Sequence, residues 1–73
     1  MKQARVVIPP ERFKDAQRQL EFSNMKFAIA IGVSVKTVGR WKRTESLIPF
    51  DIVMKVQKLL EAKENETLHQ ILS

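Results

Sequence analysis

The chain has 73 residues, a length that makes one small domain and excludes a large enzyme. Its 44% apolar content predicts a packed core, no apolar run reaches the roughly 18 residues of a membrane span, and the start lacks a secretory-signal pattern. With no Cys and one His, disulfides and thiolate metal sites are excluded, and no nucleophile with a paired base can be assembled. We therefore expect a cytoplasmic, non-enzymatic protein without metal or cofactor.

The positive charge is concentrated in one segment. Thirteen Lys and Arg against eight Asp and Glu give a net charge of +5. Residues 22–44 contain no acid, and their five cations are Lys26, Lys36, Arg40, Lys42 and Arg43. The rest of the chain is neutral. This asymmetry favours a polyanionic partner, although an ordinary solvated face would have the same composition.

The chain is predicted to begin with an extended leader, residues 1–9. The β-branched run RVVI favours an extended backbone, and the pair Pro9–Pro10 prevents a helix from starting before Pro10. A first helix should run from Pro10 to about Glu21, because Phe13, Ala16 and Leu20 form one apolar stripe. Residues 10–73 are then expected to form a single helical domain.

Two short helices are predicted next, separated by a tight turn. Ser23 should cap a largely buried helix over 24–31, and Gly32 supplies the positive φ that ends it. Ser34 should cap a third helix over 35–43. A glycine-containing link of about three residues is typical of a helix-turn-helix.

A fourth helix is predicted after the polar connection 44–46. Pro49 should open it, and its apolar spacing continues to about Lys63 or Glu64. Asn65 could cap a last turn over 66–72. The expected fold is therefore all-α, with four to five helices.

Apolar residues at both ends of the chain lie beyond the expected core and are candidates for a dimer interface. At the C-terminus they are Leu68, Ile71 and Leu72, and at the N-terminus Val6, Val7 and Ile8. The sequence leaves either end open as the interface.

The predicted third helix has two different faces. At 100° per residue, Lys36, Arg40 and Arg43 share one stripe, and Val38 and Trp41 point the opposite way into the core. Such a helix fits the DNA major groove, where Arg and Lys donate to guanine O6 and N7. Gly39 costs this helix about 1 kcal/mol relative to Ala, which either a close approach to DNA or tight helix packing would explain.

Residues 23–41, read as SNMKFAIAIGVSVKTVGRW, resemble the helix-turn-helix of the lambda-repressor, Cro and XRE type. The resemblance depends on Ala28, Gly32, Val33, Val38 and Trp41 at the family's spacing. The phrase RWKRTESLIP is similar to the family's ending, in which polar residues and a Pro follow the Trp. In all, the resemblance covers about residues 10–60.

The resemblance implies a compact lambda-repressor-like domain that docks its third helix in the major groove and binds operators as a dimer. The family's base-reading positions fall on Asn24, Val35, Lys36, Arg40 and Arg43. We expect phosphate contacts from Ser23, Lys26, Ser34, Thr37 and Lys42.

The function predicted from the sequence is sequence-specific regulation of transcription. The expected protein is a small phage or mobile-element repressor that occupies an inverted-repeat operator as a homodimer through helix 35–43, with no small-molecule effector. One alternative is a protein-interaction module of the antitoxin kind. Another is an architectural DNA-binding accessory factor such as an excisionase.

Overall fold

The computed structural model describes residues 4–72, within which there are four helices and one two-stranded sheet. In chain order the elements are β1 (Arg5–Ile8), α1 (Pro10–Leu20), α2 (Asn24–Ile31), α3 (Val35–Trp41), β2 (Ser46–Pro49) and α4 (Phe50–Leu72). The mostly helical prediction is confirmed, but the all-α prediction is wrong because of the sheet. Residues 1–3 of the predicted leader and Ser73 lie outside the described residues.

The sheet joins the predicted leader to the segment before α4. β1 and β2 are antiparallel, with Val6 opposite Ile48 and Val7 opposite Leu47. Residues 5–8 of the predicted leader are extended, as the sequence predicts. β2, by contrast, was predicted as connection and helix start, because four residues with two apolar positions give a weak strand signal. Ile48 is buried and Leu47 is exposed, so β2 does follow the two-residue period of a strand.

The helix α1 starts and ends close to the prediction. Pro9 is its N-cap and Pro10 its first residue. Phe13 and Leu20 are buried as predicted. The helix ends at Leu20, and its C-cap Glu21 has a left-handed φ of 59°. The polar Gln17 is also buried, which the apolar pattern did not indicate.

The turn between α2 and α3 has the predicted geometry. Gly32 has a φ of 76° and donates its backbone N–H to Ala28 O at 2.9 Å, which closes the end of α2. Ser34 Oγ accepts the backbone N–H of Thr37 at 3.1 Å and caps α3. Residues 32–34 therefore redirect the chain within three residues.

The end of α3 differs from the prediction, which extended the helix to Arg43. The helix ends at Trp41. The backbone N–H groups of Arg43 and Thr44 both donate to Arg40 O, at 3.1 and 3.0 Å, and this tight closing turn leads the chain away towards β2.

The last helix, α4, is continuous over 23 residues, so the predicted break at Asn65 is wrong. An exposed Asn inside a helix costs under about 1 kcal/mol, too little to end a long helix. The hydroxyl of Thr67 donates to Lys63 O at 3.0 Å and is thereby satisfied within α4. None of the helices within residues 4–72 is long and apolar enough to cross a membrane.

The core lies where α1, α2, α3 and α4 meet the inner face of the sheet. Phe27, Ile31, Val38 and Ile48 are its largest fully buried side chains. The ring of Phe13 lies 5.0 Å from that of Phe27 and, edge-on, 5.6 Å from that of Trp41. These contacts fix α3 against α1 and α2.

The prediction that α2 is largely buried is only half correct. Phe27, Ala28 and Ile31 are buried, but Met25 and Ile29 are 64% and 76% exposed. One face of an eight-residue helix packs against its neighbours, and the other has no cover among the described residues. An apolar surface therefore lies beside α3.

Candidate nucleic-acid interface

The helix α3 has one buried and one exposed face, as the sequence predicts. Val38 is fully buried and Trp41 is 6% exposed, so both anchor the helix inward. Lys36 and Arg40 are exposed. Being four residues apart on a helix, they have Cβ atoms about 6 Å apart, so α3 presents two neighbouring cations to solvent.

Arg43 lies just beyond α3 and not within it. Its side chain is exposed, and its backbone N–H donates to Arg40 O at 3.1 Å. Because this bond holds the backbone of the two residues together, Arg43 stays next to Arg40 although the helix has ended. The structure thus keeps the three predicted cations in one region without placing them on one continuous helix.

Gly39 leaves a gap among these cations. A Cβ placed on Gly39 would have no other atom within 4 Å, apart from its own helix backbone and neighbours. The interpretation of Gly39 as a site of tight helix packing is therefore wrong. What remains is accessible backbone beside Arg40, which a ligand could approach closely.

Both α2 and α3 begin with a serine cap and without an acidic residue in the first turn. Ser23 Oγ accepts the backbone N–H of Lys26 at 3.1 Å. Ser34 Oγ lies 2.9 Å from Thr37 Oγ1, so one hydroxyl hydrogen lies between them and the other can be donated to an outside acceptor. The helix starts therefore suit an anion more than a cation.

Asn24 and Lys42, both predicted to contact DNA, are bonded to each other. Lys42 Nζ donates to Asn24 Oδ1 at 2.9 Å, and Gln17 Nε2 donates to the same oxygen at 2.8 Å. This network connects α1, the start of α2 and the end of α3. No sequence signal indicates it, because its members are 7 and 18 residues apart.

Lys26 is positioned by an aromatic ring. Its Nζ lies 4.7 Å from the centre of the Phe22 ring, which itself lies 6.4 Å from the Phe27 ring. The cation–π contact orients the ammonium without neutralising its charge. Lys26 is therefore available to a phosphate near the start of α2.

Lys55 is a further cation that the sequence did not single out. A Cβ placed on Gly32 would lie 3.4 Å from Lys55 Nζ, so α4 brings this ammonium to the turn between α2 and α3. In the sequence Lys55 belongs to the neutral remainder, and the fold alone places it here. We call the resulting set the basic surface: Lys26, Lys36, Arg40, Lys42, Arg43 and Lys55.

No carboxylate neutralises the basic surface within residues 4–72. The ion pairs among the described residues join Arg18 to Asp15 and Lys63 to Glu21. The positive charge of these six side chains is therefore not offset by an ion pair within residues 4–72, which favours an anionic partner.

Val35, predicted to read a base, is 44% exposed at the start of α3. With Met25 and Ile29 it gives the α2–α3 region three exposed apolar side chains. The predicted dimer residues are also exposed, Leu68 by 49%, Ile71 by 71% and Leu72 by 83%. Of the three candidates in the leader, Val7 is exposed, and Val6 and Ile8 are partly covered.

Three comparisons with known proteins leave the chain without an assigned family. No protein-family model, no curated protein and no solved structure matches it. The arrangement of the basic surface is thus the basis for a functional conclusion.

Proposed function

We propose that this chain is a sequence-specific DNA-binding regulator of transcription, acting as a homodimeric repressor on an inverted-repeat operator. The observation that carries the proposal is the two-faced α3, which Val38 and Trp41 anchor while Lys36 and Arg40 face solvent. A helix of this width enters the major groove, where cationic side chains donate to guanine O6 and N7. The helix-turn-helix resemblance of residues 23–41 supports the same proposal.

Base reading is assigned to the exposed side chains of α3 and the turn after it. Lys36, Arg40 and Arg43 donate to base edges, and Val35 contacts a thymine methyl group. Gly39 lets the α3 backbone lie close to the DNA, because no Cβ stands between them.

Asn24 has a narrower role than the one predicted from the sequence. Its Oδ1 already accepts from Gln17 and Lys42, whereas bidentate readout of adenine needs both the amide oxygen and the amide nitrogen. The amide nitrogen is therefore the group that donates, to a phosphate or to a base acceptor.

The remaining predicted residues hold the phosphate backbone. Ser23 and Ser34 keep the helix N-termini in place, and the spare hydroxyl hydrogen of the Ser34–Thr37 pair donates to a phosphate oxygen. Lys26, Lys42 and Lys55 add the salt-sensitive attraction common to all DNA sequences. In the homodimer, two α3 helices are about 34 Å apart on the operator.

Selection from a random duplex DNA pool tests the proposal, and it should enrich a palindromic motif. Fluorescence anisotropy on that motif should then show a loss of affinity of about 5- to 150-fold for Arg40→Ala and for Lys36→Ala, as for one lost base contact. The matched control is Arg12→Ala, which removes one positive charge from an exposed position of α1. Wild-type affinity for both α3 variants, with unchanged circular dichroism, would show that α3 does not read the DNA.

A second candidate function, a protein-interaction module of the antitoxin kind, is favoured by the exposure of Met25 and Ile29. Side chains exposed by 64% and 76% next to a basic surface suit a partner with an apolar centre and an acidic rim. If the chain is such a module, selection from the random duplex DNA pool should enrich no motif, and its association with DNA should be weak and lost with added salt. Strong but motif-free binding that bends the DNA would instead indicate the architectural alternative.

A further inference from the structure

A buried glutamine on α1 is bonded to a side chain of the basic region. Gln17 is 8% exposed and is the only polar residue among residues 4–72 that is buried. Its amide nitrogen donates to Phe22 O at 3.0 Å and to Asn24 Oδ1 at 2.8 Å, so both of its hydrogens are used. Gln17 therefore lies too deep to reach a DNA duplex itself, but it contacts a residue at the start of α2 that is only half-buried.

The surrounding groups determine which way the Asn24 amide points. Phe22 O can only accept, so the Gln17 atom that faces it must be the nitrogen. The same nitrogen faces Asn24, and the atom of Asn24 that meets it must therefore be the oxygen. The ammonium of Lys42, 2.9 Å from this oxygen, is also only a donor. A reversed amide would place an N–H₂ group against two donors, so the oxygen of Asn24 points inward.

The nitrogen of the Asn24 amide then points outward. Asn24 Nδ2 makes no hydrogen bond within residues 4–72. Every buried side-chain nitrogen and oxygen of these residues has a partner, so Nδ2 must be open to solvent. Asn24 therefore offers two N–H donors to a ligand and no acceptor, next to the cation Lys42.

A group that can only donate distinguishes the bases in the major groove. Guanine presents two acceptors there, O6 and N7, whereas adenine presents one acceptor beside the N6 amino donor. Against adenine, the Asn24 N–H₂ group would meet another donor, and both would lose their hydrogen bonds to water without replacement. An asparagine that is free to turn pairs with adenine through both amide atoms, but the inward oxygen prevents this pairing here. The geometry therefore favours guanine.

We propose that Gln17 is a positioning residue for DNA recognition: by holding Asn24 Oδ1 inward, it makes Asn24 select guanine over adenine at one position of each half-site. Lys42 shares the oxygen, but its ammonium is on a flexible stem and DNA phosphates compete for it. Gln17 is buried and remains in place when DNA binds. This inference rests on the proposed function and names the base that one of its side chains reads.

Selection from a random duplex DNA pool with three proteins tests the role of Gln17. Asn24→Ala identifies the operator position that Asn24 reads, because the preference at that position should disappear. The wild type should prefer guanine there. Gln17→Met removes the buried donor at similar side-chain size, so Asn24 can turn and accept adenine. The ratio of affinities for guanine and adenine operators should then fall by about 5- to 150-fold, as for one base contact, with the other positions unchanged.

Gln19→Met is the matched control, because it makes the same change at an exposed position of the same helix and should leave the motif unchanged. A purely structural role of Gln17 would lower affinity equally for all operators and leave the guanine preference intact. That result, or a wild-type preference for adenine at the Asn24 position, would overturn the inference.

Hydrogen exchange of the side-chain amides, followed by NMR, tests the orientation without any substitution. In the free protein the Gln17 amide hydrogens should exchange slowly and those of Asn24 rapidly, and the Asn24 hydrogens should become protected when the selected operator binds. Slow exchange at Asn24 in the free protein would refute the outward nitrogen. A wild-type chain that enriches no motif would refute the proposed function and this inference with it, whereas a motif whose guanine preference survives in Gln17→Met would refute the positioning role alone.

Discussion

Asn24 connects three helices through one oxygen atom, and Asn24→Ala removes that atom. The change leaves Gln17 Nε2 without one of its two acceptors, while its bond to Phe22 O at 3.0 Å remains. Lys42 loses its acceptor as well. We expect the variant to fold and to be less stable than the wild type.

The size of the loss follows from burial. Gln17 is 8% exposed, so water does not readily replace the lost acceptor, and an unsatisfied buried donor costs about 1–3 kcal/mol. Lys42 is half-buried and its ammonium can turn to solvent, so the loss of its acceptor adds little to the cost in stability. Alanine has a higher helix propensity than asparagine, which offsets a few tenths of a kcal/mol of this loss. We therefore expect the free energy of unfolding to fall by about 1–2 kcal/mol.

Urea denaturation measures this change, and a melting temperature lowered by about 4–8 °C per kcal/mol should accompany it. Asn24→Asp is the matched variant, because its carboxylate accepts from both donors and also attracts Lys42. It should be at least as stable as the wild type at neutral pH. If Asn24→Ala had the wild-type urea midpoint, or if Asn24→Asp lost as much stability as Asn24→Ala, the network would not hold the helices together.

Two further variants test the fold and the DNA contact. Ile48→Ala should lower the free energy of unfolding by about 2–5 kcal/mol because it opens a cavity under β2, and Leu47→Ala, at the exposed neighbouring position, should change the urea midpoint little. If Ile48→Ala and Leu47→Ala lowered the free energy of unfolding equally, that result would contradict the observed orientation of β2. Gly39→Ala should raise the stability by about 1 kcal/mol, since the added methyl meets nothing within 4 Å, yet it should weaken operator binding. Unchanged affinity would show that the α3 backbone does not approach the DNA.

Strong local signals in the sequence were enough to predict most of the helices. Ser23, Gly32 and Ser34 place the turn between α2 and α3 to the residue, because caps and a positive φ are local requirements. The burial of Val38 and Trp41 follows from helical periodicity alone. These features depend on residues within a few positions of each other.

The features that the sequence did not reveal depend on distant partners. Ile48 lies in a strand that pairs with β1, where Val6, more than forty positions earlier, lies opposite it. The Asn24–Lys42 bond and the position of Lys55 beside Gly32 likewise require the folded chain. Sequence patterns report which face of an element is apolar, but they carry little information about which side chains meet across the fold.

The pairing of β1 with β2 also has a consequence for the order in which the molecule is built. Arg5 is matched with Pro49, and the backbone N–H of Phe50 donates to Ala4 O at 2.8 Å, so residues 4–8 complete their pairing only after a segment more than forty positions later has been synthesised. Closing so long a loop carries an entropic cost that contacts between successive helices avoid. We therefore expect the strand pair to form after the contacts between successive helices, and a nascent chain halted before residue 46 would leave residues 5–8 without their partner strand.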